Sequence, residues 1–471
     1  MTAAAIIAGA AILAPGWSYL PLDDPVWPWT QELEAAGLLR PAGVYPDEHL
    51  GADLPLSNLG SLSGPVGELA KRSSMPSEVI LGGEGSELFA GGGIAAEGLY
   101  RGDGETRSGT WLSASGVLGG LLVFQERLSV WEGSDEEPPD GFPSYHMGRE
   151  RGRHLYVDRG FLEGGGRGIS VSVGRIPQRW GPGRFTSLLV STNSPALDMI
   201  RFGWQPSEKL SFTGLTATVD SDSGIYLSAH RLDFWPSDRL RFGLSEAVLF
   251  SSRGLDLAYM NPVIPWYPVQ WNERQDDNAF LCADFTAVPL DGFAGWGELL
   301  VDDLQYQKEY HRPDKLGLTV GAGYTSTSST VGATLEYTRI DRFVYSQKLA
   351  RNYYLHDGRI IGSELGPDGD RLTLALSTPA LWPLAVEVRA SHRRAGEGTV
   401  YEGYPDSVAV GPFPSGVVEN TTDAAVRLFC VLPGGFEASA SLDRWWKTNA
   451  GHVQGAEDRG TDASAEVRWN W

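Results

Sequence analysis

Glu298, Asp302 and Asp303 are three carboxylates within one strand-like stretch, Trp296 to Gln305. Paired carboxylates can serve as general acid and base, so glycoside hydrolysis is the first chemistry to test. Neighbours in a strand point to opposite faces, so Asp302 and Asp303 cannot line one site without a bulge. Glu298 and Asp302 share a face, but four residues at ~3.3 Å each set them roughly 13 Å apart. Glycosidase pairs sit ~5–9.5 Å apart. The spacing therefore predicts lumenal carboxylates that meet Arg residues or channel water, and no catalytic pair.

Arg175, Arg179 and Arg184 flank Trp180-Gly-Pro-Gly183. Guanidinium groups can grip acidic sugars and an indole can stack on a sugar ring. The same residues could instead form an inward fold whose Arg groups neutralise lumenal Asp and Glu. Trp266, Tyr267, Trp271 and Arg274 form a second cluster, where rings suit either sugar faces or a membrane-interface belt. Trp445, Trp446, Trp469 and Trp471 read as belt residues. The eight His residues show no metal spacing, His146 and His154 being a weak pair within a loop. No Gly-x-Ser-x-Gly elbow and no Gly-Lys phosphate loop is present. No cofactor, metal site or catalytic residue is expected. Cys282 and Cys430 lie in strand-like text, where packing, lipid contact or a disulfide all stay open.

These residues are carried by alternating segments. Leu316, Leu318, Val320, Ala322 and Tyr324 interleave with Gly317, Thr319, Gly321 and Gly323; Leu372, Leu374 and Leu376 repeat the pattern, as do Val386 and Val388 around Glu387. Period two means one apolar and one polar face. Similar segments fill the chain from about residue 86, each near the 9–11 residues that cross a tilted bilayer span. Short turns such as Pro206-Ser-Glu-Lys209 and Pro236-Ser-Asp-Arg239 alternate with long stretches, the clearest being Asp135 to Arg153, Tyr259 to Asn278, Ser346 to Asp370 and Glu397 to Asn420. That asymmetry predicts an all-β, transmembrane outer-membrane barrel of about 16–18 antiparallel strands, since single-chain bacterial barrels use even numbers. The last nine residues alternate as well and end on Trp471, a strand of the kind that barrel-insertion machinery recognises.

The formal net charge of −21 argues against a nucleic-acid partner, because phosphate recognition needs a basic face. The apolar run Ala3 to Ala14 is too short to span a membrane and reads as an export-signal core, though no Lys or Arg precedes it. Between the signal (1–16) and the barrel (86–471), residues 17–85 are expected to be a small, helical, periplasmic plug. Val26, Trp29, Leu33, Ala36 and Leu39 recur there at helical spacing behind Asp24 and Pro25.

Three stretches carry a family resemblance. They are Leu20-Pro-Leu-Asp-Asp-Pro-Val-Trp-Pro-Trp leading to Leu33-Glu-Ala-Ala-Gly-Leu-Leu, then Gly174-Arg-Ile-Pro-Gln-Arg-Trp-Gly-Pro-Gly with Ser187-Leu-Leu-Val-Ser-Thr-Asn-Ser-Pro, and Trp296-Gly-Glu-Leu-Leu-Val-Asp-Asp-Leu-Gln. They resemble the capsule-assembly Wzi-type outer-membrane proteins, the second stretch being the most specific. The resemblance implies an eighteen-stranded barrel with a periplasmic helical bundle that binds capsular polysaccharide and helps hold it at the cell surface. It implies no enzyme. The expected partners are capsular or other surface polysaccharide, outer-membrane lipid and the insertion machinery; a porin-like channel is the alternative reading.

Overall fold

A computed structural model describes residues 44–45, 79–83, 86–100, 106–118, 122–133, 153–251, 254–261, 263–273, 277–304, 313–326, 331–381, 384–405, 411–432 and 436–470. The barrel strands are β1 (Ser86–Tyr100), β2 (Thr106–Leu118), β3 (Leu122–Gly133), β4 (Arg153–Gly166), β5 (Ile169–Ile176), β6 (Leu197–Ser207), β7 (Leu210–Asp220), β8 (Ile225–Ser237) and β9 (Leu240–Ser251). They continue as β10 (Asn278–Leu290), β11 (Phe293–Asp303), β12 (Lys315–Thr325), β13 (Gly332–Ile340), β14 (Gly369–Leu381), β15 (Leu384–Ala395), β16 (Glu419–Leu432), β17 (Phe436–Thr448) and β18 (Glu457–Asn470). Each pairs antiparallel with its chain neighbours, and β18 pairs back onto β1 from Ala463↔Tyr100 to Asn470↔Gly93. This ladder closes an eighteen-stranded barrel, the upper of the two even numbers expected.

The alternation works inside out. Leu372, Leu374 and Leu376 on β14 point outward and are exposed, whereas Thr373 and Ala375 between them are buried. On β12, Leu318 and Val320 are exposed and Thr319 is buried. A barrel in lipid must present its apolar row outward, because the acyl chains are its solvent there. Outward aromatics gather near the short-turn ends, where Phe293 lies 4.8 Å from Tyr324 and Phe436 stacks on Trp469 at 5.8 Å. They form part of an interfacial girdle. Trp446 also faces outward, but Trp445 is its strand neighbour and therefore points into the lumen, where its indole N–H donates to Asp462 at 3.2 Å. The belt reading holds for one of the pair. No helix among the described residues is long and apolar enough to cross a membrane. Both cysteines are free: Cys282 is buried in the lumen wall and Cys430 lies half-buried on β16.

Short turns such as Glu208-Lys209 and Asp238-Arg239 join strands at one end. The long connections 177–196, 252–277, 341–368 and 396–418 share the other end, which the turn asymmetry makes extracellular. The sequence marked out three of these but passed over 177–196, and it is this one that matters most for the lumen. The signal reading, the helix at 26–39, the loop 135–152 and Trp471 lie outside the described residues. Within 17–85 the described residues are extended, not helical: Val44–Tyr45 pairs with Arg179–Trp180, and Val79–Gly83 forms a hairpin with the start of β1.

Candidate functional site

Connection 177–196 turns inward and fills the β4–β14 side of the lumen. Two lumenal carboxylates hold it. Glu298 on β11 accepts the backbone N–H of Gly183 at 2.8 Å and of Leu188 at 3.0 Å. Glu336 on β13 accepts those of Arg184 at 2.6 Å and Phe185 at 3.0 Å, together with the Trp296 indole N–H at 2.8 Å. A loop brought out of water must pair its N–H groups, and a carboxylate offers two acceptor oxygens to adjacent donors. Arg184 lies over the Trp296 ring at 4.3 Å, and Arg179 donates to the carbonyls of Gly183 and Thr186.

Connection 341–368 packs onto the inserted loop. Tyr345 and Tyr354 donate their hydroxyls to the Leu188 and Leu189 carbonyls at 2.5 and 3.0 Å. Burial pushes both phenols above their ordinary range, so both stay protonated donors at neutral pH. Leu188, Leu189, Val190, Val344, Tyr345, Tyr354 and Ile361 then join lumenal Leu215, Leu227, Leu249, Phe280 and Leu300 in one apolar core. Asp302 on β11 accepts the Tyr345 N–H at 2.7 Å and pairs with Lys315 at 2.5 Å.

Gly181 is fixed by this geometry. Its φ is +103°, and a Cβ there would stand 2.2 Å from Glu298 Oε1. Gly181→Ala is expected to displace the loop at a cost of about 1–3 kcal/mol, read as a lower urea midpoint of the lipid-embedded barrel. An unchanged midpoint would show that the loop tolerates the clash.

Connection 396–418 covers the assembly from outside. Asp368 accepts the N–H groups of Gly398 and Ser415 at 2.9 and 3.0 Å, and Arg342 grips Glu402 through Nε at 2.9 Å and Nη2 at 2.5 Å. The bond to Glu402 raises the already high Arg342 pKa, so this guanidinium stays charged. Above the pair, Tyr353 meets Tyr401 edge to face at 6.3 Å and donates its hydroxyl to the Tyr401 carbonyl. Tyr401 is 62% exposed. The extracellular surface thus offers an aromatic ring flanked by Arg342 and Glu402.

A family model described as Capsule assembly protein Wzi matches residues 103–459. The chain belongs to this family. It is an outer-membrane β-barrel of a capsule-assembly family, which is not a family of enzymes. Among solved structures, one is Wzi of Escherichia coli, an outer-membrane protein involved in group 1 capsule assembly and a carbohydrate-binding β-barrel. It is 11% identical, with a TM-score of 0.64 over 97% of this chain and 98% of that one. OccD3 (OpdP) of Pseudomonas aeruginosa is 10% identical, with a TM-score of 0.51 over 84% of this chain and 93% of its own. At these identities the likeness is one of fold. No curated protein matches the chain.

The residues singled out from the sequence as ligand-binding candidates do not converge in this Wzi-family barrel. Arg175 points outward and pairs with Asp198 at 2.8 Å, away from Arg179 and Arg184 in the lumen. Trp180 is 1% exposed and donates to Gln178 at 3.1 Å, so no ring face is left for a sugar. Trp266 is also 1% exposed, beneath a loop on the barrel's outer wall, with half-buried Tyr267 beside it. Trp271 lies on the same helix, with its side chain outside the description, and Arg274 lies outside the described residues. Glu298 and Asp302 do line the lumen, where both are buried against loop N–H groups and, for Asp302, Lys315. Sequence reasoning missed Glu336 and Tyr401. Glu336 was legible as the polar member between Leu335 and Tyr337, whereas nothing local distinguishes Tyr401 from any other loop tyrosine.

Proposed function

We propose that this barrel binds capsular polysaccharide at its extracellular face, assists capsule attachment and carries out no catalysis. The observation that supports this best is the loop core: two long connections fill the β4–β14 side of the lumen, and half-buried Tyr353 on the second of them meets exposed Tyr401 of connection 396–418. A polar, sugar-rich polymer has C–H faces for tyrosine rings and hydroxyls for Arg342 and Glu402. Each contact is weak, and a repeating polymer multiplies them. Glu298 and Asp302, the carboxylates nearest to a hydrolytic reading, are already engaged in holding loops. The porin-like alternative gives no role to the apolar core inside the barrel. Outer-membrane lipid around the outward apolar rows, and insertion machinery acting on the C-terminal strand, complete the proposed partners.

Binding of the purified barrel to surface polysaccharide of its own host tests the reading. Tyr401→Ala is expected to weaken binding about 3- to 10-fold per site, equivalent to ~0.7–1.4 kcal/mol, with the barrel still heat-modifiable on gels. Absence of binding by the parent protein would overturn the function. Full binding by Tyr401→Ala would move the site elsewhere.

A further inference from the structure

The connection 252–277 leaves the top of β9 and folds down over the outside of the barrel. It carries two short helices, α1 (Leu257–Met260) and α2 (Trp266–Glu273). Tyr259 and Trp266 pack on Val248, Phe250 and Ala279, which are the outward residues of β9 and β10. Beneath them lies Glu246, an outward carboxylate that continues the row Phe242, Leu244. Its ladder partners are His230 on one side and Leu281 on the other, and Leu281 is exposed on the apolar band. Glu246 accepts the backbone N–H of Trp266 at 2.8 Å and of Tyr267 at 2.6 Å, at the start of α2, and lies 3.2 Å from His230. His230 in turn packs tilted against Trp266, with centroids 4.1 Å apart. A charged residue on the lipid face of a barrel is destabilising near the midplane, and the helical cover removes Glu246 from that contact.

The cover has its own outer surface, and that surface is apolar. Leu257 and Val263 are each 82% exposed, and Leu255 and Ile264 are exposed beside them. We propose that this surface contacts the acyl chains of the outer leaflet, so that α1 and α2 form a membrane-embedded panel on the barrel's flank. Three observations converge on lipid as the occupant. The panel packs on Val248, Phe250 and Ala279, on the same outward strand faces whose next residues are the exposed rows Leu232–Phe234, Phe242–Leu244 and Leu281–Phe285. The panel replaces the stretch of wall where Glu246 and His230 interrupt the apolar band. Its exposed large side chains are all aliphatic, and the carboxylate among them, half-buried Asp256, is turned to cap α1; a loop directed into water would have no reason to expose four large aliphatic side chains in one connection.

Leu257→Cys and Val263→Cys, each in a Cys430→Ser background and labelled with a polarity-sensitive fluorophore, test this in vesicles of brominated phosphatidylethanolamine. Val453→Cys, in the exposed β17–β18 connection, is the control. Quenching of at least about twofold by brominated chains at 257 and 263, with none at 453, is expected for side chains seated at the acyl boundary. Iodide quenching at 257 and 263 equal to that at 453 would overturn the proposal. Cross-linking between two copies through position 257 or 263, with no brominated-lipid quenching, would overturn it as well, since a second copy would then be the cover. Hydroxyl-radical labelling of the unmodified protein in nanodiscs gives an independent readout. Leu257 and Val263 should be protected and Val453 oxidised; equal oxidation at all three would refute lipid contact.

Discussion

Replacing Glu298 and Glu336 together by Ala is expected to open the lumen. The two carboxylates accept five donors: the N–H groups of Gly183, Arg184, Phe185 and Leu188, and the Trp296 indole. Removing the acceptors leaves three buried and two half-buried donors without their partners, at up to about 1–3 kcal/mol for each one unpaired. The total, up to roughly 5–15 kcal/mol, reaches the whole margin of a typical folded domain. The barrel ladder does not depend on the loop, so the loop leaves the lumen while the wall stays closed. Single-channel conductance in planar bilayers should therefore exceed that of the parent. Trypsin should also gain the bonds after Arg179 and Arg184, which the parent protects. Unchanged conductance and protection would mean that the apolar contacts of Leu188, Leu189 and Val190 hold the loop unaided. Glu298→Gln is the graded control, because an amide keeps one acceptor oxygen, and it should give an intermediate increase.

This expectation shows why a carboxylate in a barrel lumen is ambiguous when read from sequence. Glu298 was legible as lumenal, because period two fixes its face once the apolar row Leu299, Val301 is assigned outward. What it binds was not legible, because its partners lie more than a hundred residues away along the chain. The wall was legible for the same physical reason throughout: lipid outside and water inside impose a two-residue repeat that needs no knowledge of neighbours. The connections obey no such repeat. Trp180 and Trp266 have the composition of sugar platforms, yet both are buried, since an indole serves equally well as a core residue. The one local sign that connection 252–277 covers the wall was Glu246 itself. A charge in the outward row Phe242, Leu244, Glu246, Val248, Phe250 requires a cover, and the structure supplies one in α2.

Loss of Arg231 is expected to be the most destabilising single change in the lumen wall. Arg231 on β8 is fully buried and grips two carboxylates bidentately. It reaches Asp233 at 2.7 and 2.8 Å and Asp284 at 2.7 and 3.0 Å, with a further bond to Ser245 at 3.0 Å. Arg241 closes the square, 2.7 Å from Asp233 and 2.8 Å from Asp284. Gly243 makes room for it: a Cβ there would stand 2.0 Å from Arg231 Nη2. Two cations and two anions balance, so the group is neutral as a whole although each member is out of water. Arg231→Met leaves two buried carboxylates against Arg241 alone. Breaking a buried pair in this way costs about 3–5 kcal/mol, most of it the desolvation of the charge left behind. Urea unfolding of the lipid-embedded barrel should register that loss. The double variant Arg231→Met with Asp284→Leu restores neutrality around the remaining Arg241–Asp233 pair and should recover a substantial part of the stability. If the single and double variants unfold at the same midpoint, charge balance is not what the quartet contributes, and the packing of the guanidinium against β9 must account for the loss instead.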